Sequence, residues 1–310
     1  MRIRNAITIV LAIAMIFSSI PQASAELNDA NLLGYWNFDE ASGAVVGDTT
    51  DNANNGAITG TPVWNPTGGL LEGAMDFTDN GYVTVPGAGI DIANKSFSLS
   101  FWVKQDSADN NNYVIGHSND GGNNSLHIGF RNSTTFTMAF WGNDMNVGNA
   151  MFNNTTDWMH FVCTYDAATK VQTVYANVVG GGAVTQNRTA TANFQGTDNF
   201  FMGSRGDGND QFNGLIDEVG IWDRTLSAGE AAELYNGGTP LYFFSVATET
   251  LTWDGDTGNW GDINGDAAND SHWNGGLTAD AIPYALAEEG TEAIISAGQA
   301  TVGFRQGERC

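Results

Sequence analysis

Positive charge is scarce. Eleven Lys and Arg stand against 35 Asp and Glu, a formal net charge of −24 over 310 residues. No basic patch exists to follow a phosphate backbone, which weighs against nucleic acid as a partner. The acidic surface also repels anionic membranes, keeps the chain soluble and favours divalent cations. Cysteine is nearly absent. Cys163 lies in an apolar run and reads as an inert core thiol, and Cys310 ends a polar tail. Two such residues make no disulfide framework, so the domain must stand on its own core. The four histidines, His117, His127, His160 and His272, show no H-x-H or H-E-x-x-H spacing, which leaves zinc without support. No glycine run separates a strand from a helix as a phosphate-binding loop requires. The one long apolar run, Ala6 to Phe17, follows Arg2 and Arg4 and precedes Ala23-Ser24-Ala25. Residues 1–25 therefore read as a secretory signal, with the mature chain exported and with no membrane insertion of its own.

What the sequence has in quantity is short strands. "FSLSFWVK" alternates, so Phe97, Leu99, Phe101 and Val103 share a face. "SLHIGF", "TFTMAFW", "WMHFVCTYD" and "VQTVYANVV" follow, separated by Asn, Asp and Gly clusters. Regular strands with turn signals predict an all-β sandwich or barrel. One helix is marked: Ser227 with Glu230 three residues on forms a capping box, and Gly237 is a natural stop. A domain boundary falls near Gly238 to Leu241, giving one domain over 26–240. Residues 241–310 form a Trp-, Gly- and Asp-rich β tail that reads as the opening of a second, truncated module, with two short strands in "EAIISAGQATVGF".

The stretch "NGLIDEVGIWDRTLS" poses a problem. Strand parity puts Leu215, Asp217, Val219 and Ile221 on one face and Ile216, Glu218 and Trp222 on the other. A carboxylate aimed into an apolar face must be hydrogen-bonded, paired or metal-bound. A β-bulge before Asp217 would instead reverse the parity and put it in solvent.

Five motifs in order carry a family resemblance: "LLGYWNFDEASGAVVGDTTDNANNGAITG", "AMDFTDNGYVTVPG", "SFSLSFWVK", "WMHFVCTYD" and "FNGLIDEVGIWDRTLSAGEAAELYNGG". Together, from Asn31 to Gly238, they resemble the laminin G-like domains of the concanavalin A-like lectin/glucanase superfamily, in its bacterial secreted branch. The resemblance implies a jelly roll of two antiparallel sheets whose last strand returns beside the segment Gly34 to Phe38. It also implies a structural calcium near that seam. Asp39, Asp48, Asn54 and Asp217 are the candidate ligands, since calcium takes several carboxylate, amide and carbonyl oxygens. The alternative without metal has Asp217 accepting backbone N–H groups from the loop Asp48 to Gly56.

Hydrolases of this superfamily resemble one another in an E-x-D-x-x-E or E-x-D-x-E strand motif, which this chain lacks; Asp217 and Glu218 are adjacent and point apart on a regular strand. His160, in "WMHFV", reads as a structural hydrogen-bonding residue. Sugar sites stack an apolar sugar face on Trp or Tyr, and Tyr82, Trp102, Tyr113, Trp141 and Arg205 are candidate contacts. Trp102 and Trp141 sit on strands, and packing between the sheets is their simplest role. Arg205-Gly206-Asp207 spells an integrin tripeptide that chance explains in a bacterial chain. "DINGDAAND", Asp262 to Asp270, resembles a dockerin calcium loop, but position six is Ala267 and position twelve is Trp273. The expectation is a non-catalytic recognition or adhesion module for a glycan or cell-surface ligand. A polysaccharide-active hydrolase or lyase on the same sandwich, and a spacer in a large surface protein, are the alternatives.

Overall fold

The computed structural model describes Leu27, residues 29 to 78, 80 to 118 and 120 to 241, and the backbone of four short strands beyond. The signal-peptide and dockerin-like stretches lie outside the described residues. Two eight-stranded antiparallel sheets face each other, as the alternation and the resemblance imply. Across the first sheet the order is Ala183–Thr189, Val171–Val178, Met159–Asp166, Phe97–Gln105, Gly214–Trp222, Ala74–Asp76 and Val63–Asn65, with Leu32–Trp36 also paired to Gly214–Trp222. Across the second it is Asn143–Gly148, Thr135–Phe140, Leu126–Asn132, Asn112–His117, Phe200–Met202, Gly81–Val85, Gly56–Gly60 and Val45–Val46. Every expected strand forms. The closing strand returns antiparallel beside the first, with Trp36 opposite Val219 and Gly34 opposite Ile221.

The core between the sheets is built from alternate residues. Phe97, Leu99, Phe101 and Val103 enter it from one sheet, and Phe130, Phe136, Met138 and Phe140 from the other. Phe161 stacks on Phe136 with centroids 4.0 Å apart, and meets Phe130 edge-on at 5.7 Å. Cys163 is a free, fully buried thiol in this core, and burial pushes its pKa far up.

A second apolar cluster covers the outer face of the first sheet. It joins Leu27, Tyr35, Val162, Trp222, Leu226, Leu234 and Leu241. The helix Ala228–Tyr235 lies here, with the Ser227–Glu230 capping box formed as expected. Its C-cap is Asn236, in the left-handed region at φ 41°; Gly237 follows at φ 66°. The expected stop is thus shared by two residues. Trp102 also belongs to this face. It lies against His160 and Tyr235, under the helix, and not between the sheets. His160 Nε2 and Ser100 Oγ are 2.9 Å apart, the structural bond expected of that histidine.

Beyond Leu241 the strands Thr248–Trp253, Trp273–Asn274, Ile294–Ser296 and Gln299–Gly303 form a separate four-stranded sheet. The last two are the strands read from "EAIISAGQATVGF".

Phe161 touches rings from both sheets, so Phe161→Ala should cost about 3–5 kcal/mol in urea unfolding. A loss near zero would show that this ring stack is not what ties the sheets together.

Candidate functional site

Alternation on the second sheet sends Ile128, Phe130, Met138 and Met145 inward, and His127, Arg131, Ala139 and Asp144 outward. His127 lies opposite Ala139, and Ala139 opposite Asp144, so these residues form a row across three strands. Gly116 opposite His127 extends the row. The turn after Phe200–Met202 crosses the sheet at that glycine: a Cβ there would stand 2.3 Å from Gly206 N. This crossing delivers Arg205 to the outer face.

Tyr113, Trp141 and Arg205 gather on this face. The Arg205 guanidinium carbon lies 5.9 Å from the Trp141 ring centroid, a cation–π contact. His127 stands between Tyr113 and Trp141, edge-on to both at 5.4 and 6.5 Å. Trp141 is 46% exposed, one of three large apolar side chains on the surface among the described residues. It therefore does not pack between the sheets. Arg131 pairs with Asp144 at 3.1 Å, and Arg205 with Asp210 at 3.5 Å. The latter distance is an ion pair without hydrogen-bond geometry, and both guanidinium Nε atoms are buried without an acceptor. Burial lifts the Tyr113 phenol above its ordinary range, with Arg131 and Arg205 lowering it and Asp210 and Asp144 raising it. Burial pushes His127 down, so it is neutral at physiological pH. Tyr82 stands apart. It meets Phe201 edge-on, and Gly208 of the crossing turn packs against its ring, so the turn separates it from Tyr113. Arg131 and Asp144 were not foreseen, although strand alternation points both outward.

The second place of interest is the seam. The first strand and Ala74–Asp76 both pair with one edge of the closing strand, at Val219 and Ile216 respectively. Between them that edge is open at Asp217 and Glu218. A bulge falls after Asp217, with Glu218 in the left-handed region at φ 53°. The extra residue changes the parity read from the sequence: Ile216, Val219 and Ile221 all enter the core. Asp217 and Glu218 both turn to the outer face, where they do not point apart as a regular strand requires. Asp217 is nonetheless fully buried, because the turn Gly69–Gly73 closes over it. Its Oδ2 accepts from Leu70 N at 2.9 Å and Leu71 N at 3.3 Å, so the donors come from this turn and not from the loop Asp48 to Gly56. Its Oδ1 is buried without a partner. Asp39 holds the far end of the same turn, accepting Gly73 N at 2.8 Å, and is bridged by Asn37 Nδ2. Glu218 accepts from the Tyr35 hydroxyl.

Asp48 and Asn54 do different work. Asp48 accepts from Tyr35 N, Thr50 N, Thr50 Oγ1 and Asn54 N, all within 2.9 Å. Asn54 Nδ2 donates to Leu33 O at 2.7 Å. Their oxygens and amides staple the loop to the first strand. The four candidate calcium ligands fall into two separate pairs, Asp39 with Asp217 at the seam and Asp48 with Asn54 in the loop. Burial lifts Asp39 to about 6, with Glu72 and Glu40 adding repulsion, and burial raises Asp217 well above the usual carboxylate range, with Asp39 contributing. Glu40 Oε2 is a further buried oxygen without a partner. Among the described residues no group of three or more His, Cys, Asp or Glu converges on one point. Within the pair, Asp217 Oδ1 is the unpartnered oxygen, while Asp39 Oδ1 and Oδ2 accept from Gly73 N and Asn37 Nδ2.

The fold is a sandwich of two antiparallel sheets. The chain belongs to the concanavalin A-like lectin/glucanases superfamily, whose laminin G-type model matches residues 77–232. No curated protein matches the sequence. Among solved structures, the binding domain of Paraclostridial Mosquitocidal Protein 1 is similar at 15% identity and TM-score 0.50, over 72% of this chain and 58% of that one. The binding domain of Botulinum Neurotoxin DC in complex with SialylT matches at 16% and 0.50, over 73% and 56%. Domain 4 of AbnA, a GH43 extracellular arabinanase from Geobacillus stearothermophilus, in complex with arabinotriose, matches at 18% and 0.45, over 66% and 98%. At these identities the likeness shows the fold alone.

Asp39 is protonated more readily when folded, so the folded state binds the extra proton between 3.8 and about 6. Its contribution to metal-free stability is therefore greatest below that window and is lost as pH rises through it. Asp39→Asn keeps an acceptor for Gly73 N and has no charge to lose. In EDTA, the stability of the wild type should fall relative to Asp39→Asn between about pH 4 and 7. Parallel urea midpoints across that range would show that the carboxyl pair carries no strain.

Proposed function

We propose that this chain is a secreted, non-catalytic recognition module, and that its ligand is a glycan held on the outer face of the second sheet around Trp141. The single observation carrying this reading is the gathering of Tyr113, Trp141 and Arg205 on one face, with a half-exposed indole at its rim. An exposed ring beside donors and acceptors is what recognition of a sugar needs: an apolar plate for the ring face and polar groups for hydroxyls. Half-exposed ion pairs such as Arg131–Asp144 contribute little to stability, which leaves their polar atoms free to serve a ligand. The Botulinum Neurotoxin DC binding domain, 56% of which this chain matches, is itself in complex with SialylT. A cell-surface glycan is the partner that an exported module of this kind would meet. No helix among the described residues is long and apolar enough to cross a membrane.

The reading also includes a structural calcium at the seam, held by Asp39 and Asp217. Its chemistry there is electrostatic: a divalent charge offsets two buried carboxylates and ties the first strand to the closing strand. Support comes from the unpartnered Asp217 Oδ1 and the mutual repulsion of the pair.

Two measurements test the sugar face and the calcium separately. A glycan array run with the full chain and with Trp141→Ala should show binding by the first and not by the second, with unchanged melting. Binding by neither chain, or equally by both, would remove the sugar face. Calcium added to EDTA-treated protein should raise the melting temperature of the wild type and leave that of Asp39→Asn little changed. An equal response would place any calcium elsewhere.

A further inference from the structure

We infer that the Trp141 face takes neutral, uncharged glycans and discriminates against sugars bearing carboxylate or sulfate. This rests on the proposed sugar-binding reading and adds the ligand's chemical class.

The argument is one of charge. One guanidinium, Arg205, lies against the indole, and a second, Arg131, acts with it on the Tyr113 hydroxyl; alone they would suggest an acidic ligand. Each is already matched by a carboxylate, Arg131 by Asp144 and Arg205 by Asp210. The four charges sum to zero around the Tyr113 hydroxyl, which feels all of them. An anionic sugar would have to displace Asp144 or Asp210 from its arginine and leave that carboxylate stranded beside it. It would also approach a chain of net charge −24. A neutral sugar meets neither obstacle. A guanidinium offers several N–H donors in a rigid fork, and a carboxylate offers only acceptors. Side by side, they match the donor-and-acceptor character of adjacent hydroxyls without breaking the ion pair. The Arg131 and Asp144 side chains are 36% and 38% exposed, so both partners remain reachable. Trp141, with Arg205 against its ring, supplies the apolar platform on the same face.

Opposite responses to one substitution separate the alternatives. Asp144→Asn removes a negative charge and keeps the shape. If the ligand is neutral, this change loses a charged acceptor and weakens binding; if it is anionic, it frees Arg131 and strengthens binding. Titration calorimetry would use the full chain with unsubstituted neutral oligosaccharides, and with uronate-containing and sulfated ones, at low and high sodium chloride.

The expected result is binding of neutral sugars only, weakened at least about tenfold by Trp141→Ala through loss of the platform. Asp144→Asn should weaken it severalfold, and affinity should change less than about twofold with salt, since no net charge is neutralised. Binding confined to acidic sugars, dependent on Trp141, abolished by salt and strengthened by Asp144→Asn, would overturn the inference while leaving the sugar-binding reading in place. Binding of no sugar, or binding indifferent to Trp141, would overturn both.

Discussion

The closing strand Gly214–Trp222 has more neighbours than a strand has edges. Phe97–Gln105 takes one edge along its length, broken at the bulge between Asp217 and Gly220. Two shorter strands must share the other, Ala74–Asp76 at one end and Leu32–Trp36 at the other. The gap between them exposes backbone that must still be satisfied. The chain meets this demand with one device: a bulge at Glu218 and a carboxylate, Asp217, that binds the turn leading into Ala74–Asp76. Asp39, at the exit of the first strand, binds the other end of that turn. Sandwich closure and the strained acid pair are thus one arrangement. Remove the carboxylates, and the Gly69–Gly73 turn loses acceptors at both of its ends.

The sequence made the strands legible because alternation and turn residues are local signals. Phe97 to Val103 read correctly, and so did the helix, since a capping box needs only four residues of context. Asp217 is recognisable as a buried acid needing partners, but on a parity that the structure does not keep. The bulge that changes it sits at Glu218, and no residue type announces a left-handed glutamate as a glycine would. The donors at Leu70 and Leu71 are equally hidden: they come from about 150 positions away, and any turn offers N–H groups. The oxygen-rich segment around Asp48 looks like a ligand store, and the structure spends it on loop staples. Such Asp and Asn patterns serve turns and metals alike, and sequence does not separate them.

The outer face around Trp141 was legible as a set of residue types more than as a place. Tyr113, Trp141 and Arg205 come from two different strand ends and a crossing turn, and topology alone brings them together. Tyr82 shares their chemistry but lies beyond the barrier formed by that turn. His127, Arg131 and Asp144 were readable in principle, because each alternates with a core residue. Outward residues on a sheet are numerous, however, and only the register shows which of them are neighbours.

The apolar cluster on the outer face of the first sheet holds both Leu27 and Leu241. The Trp141 face belongs to the other sheet, so Leu27 and Leu241 lie on the side away from it. This has a mechanical side. Leu32 is opposite Trp222, so tension applied through the two ends reaches an antiparallel pair at its outermost rung. It first loads the Trp222 Nε1 to Leu27 O bond and the Arg224–Asp29 contact. After those, the rungs open in succession like a zip, with no row of bonds resisting in shear. A pull along the backbone would therefore peel the module open at its fastened end, while a load borne through the Trp141 side passes across the body of the sandwich.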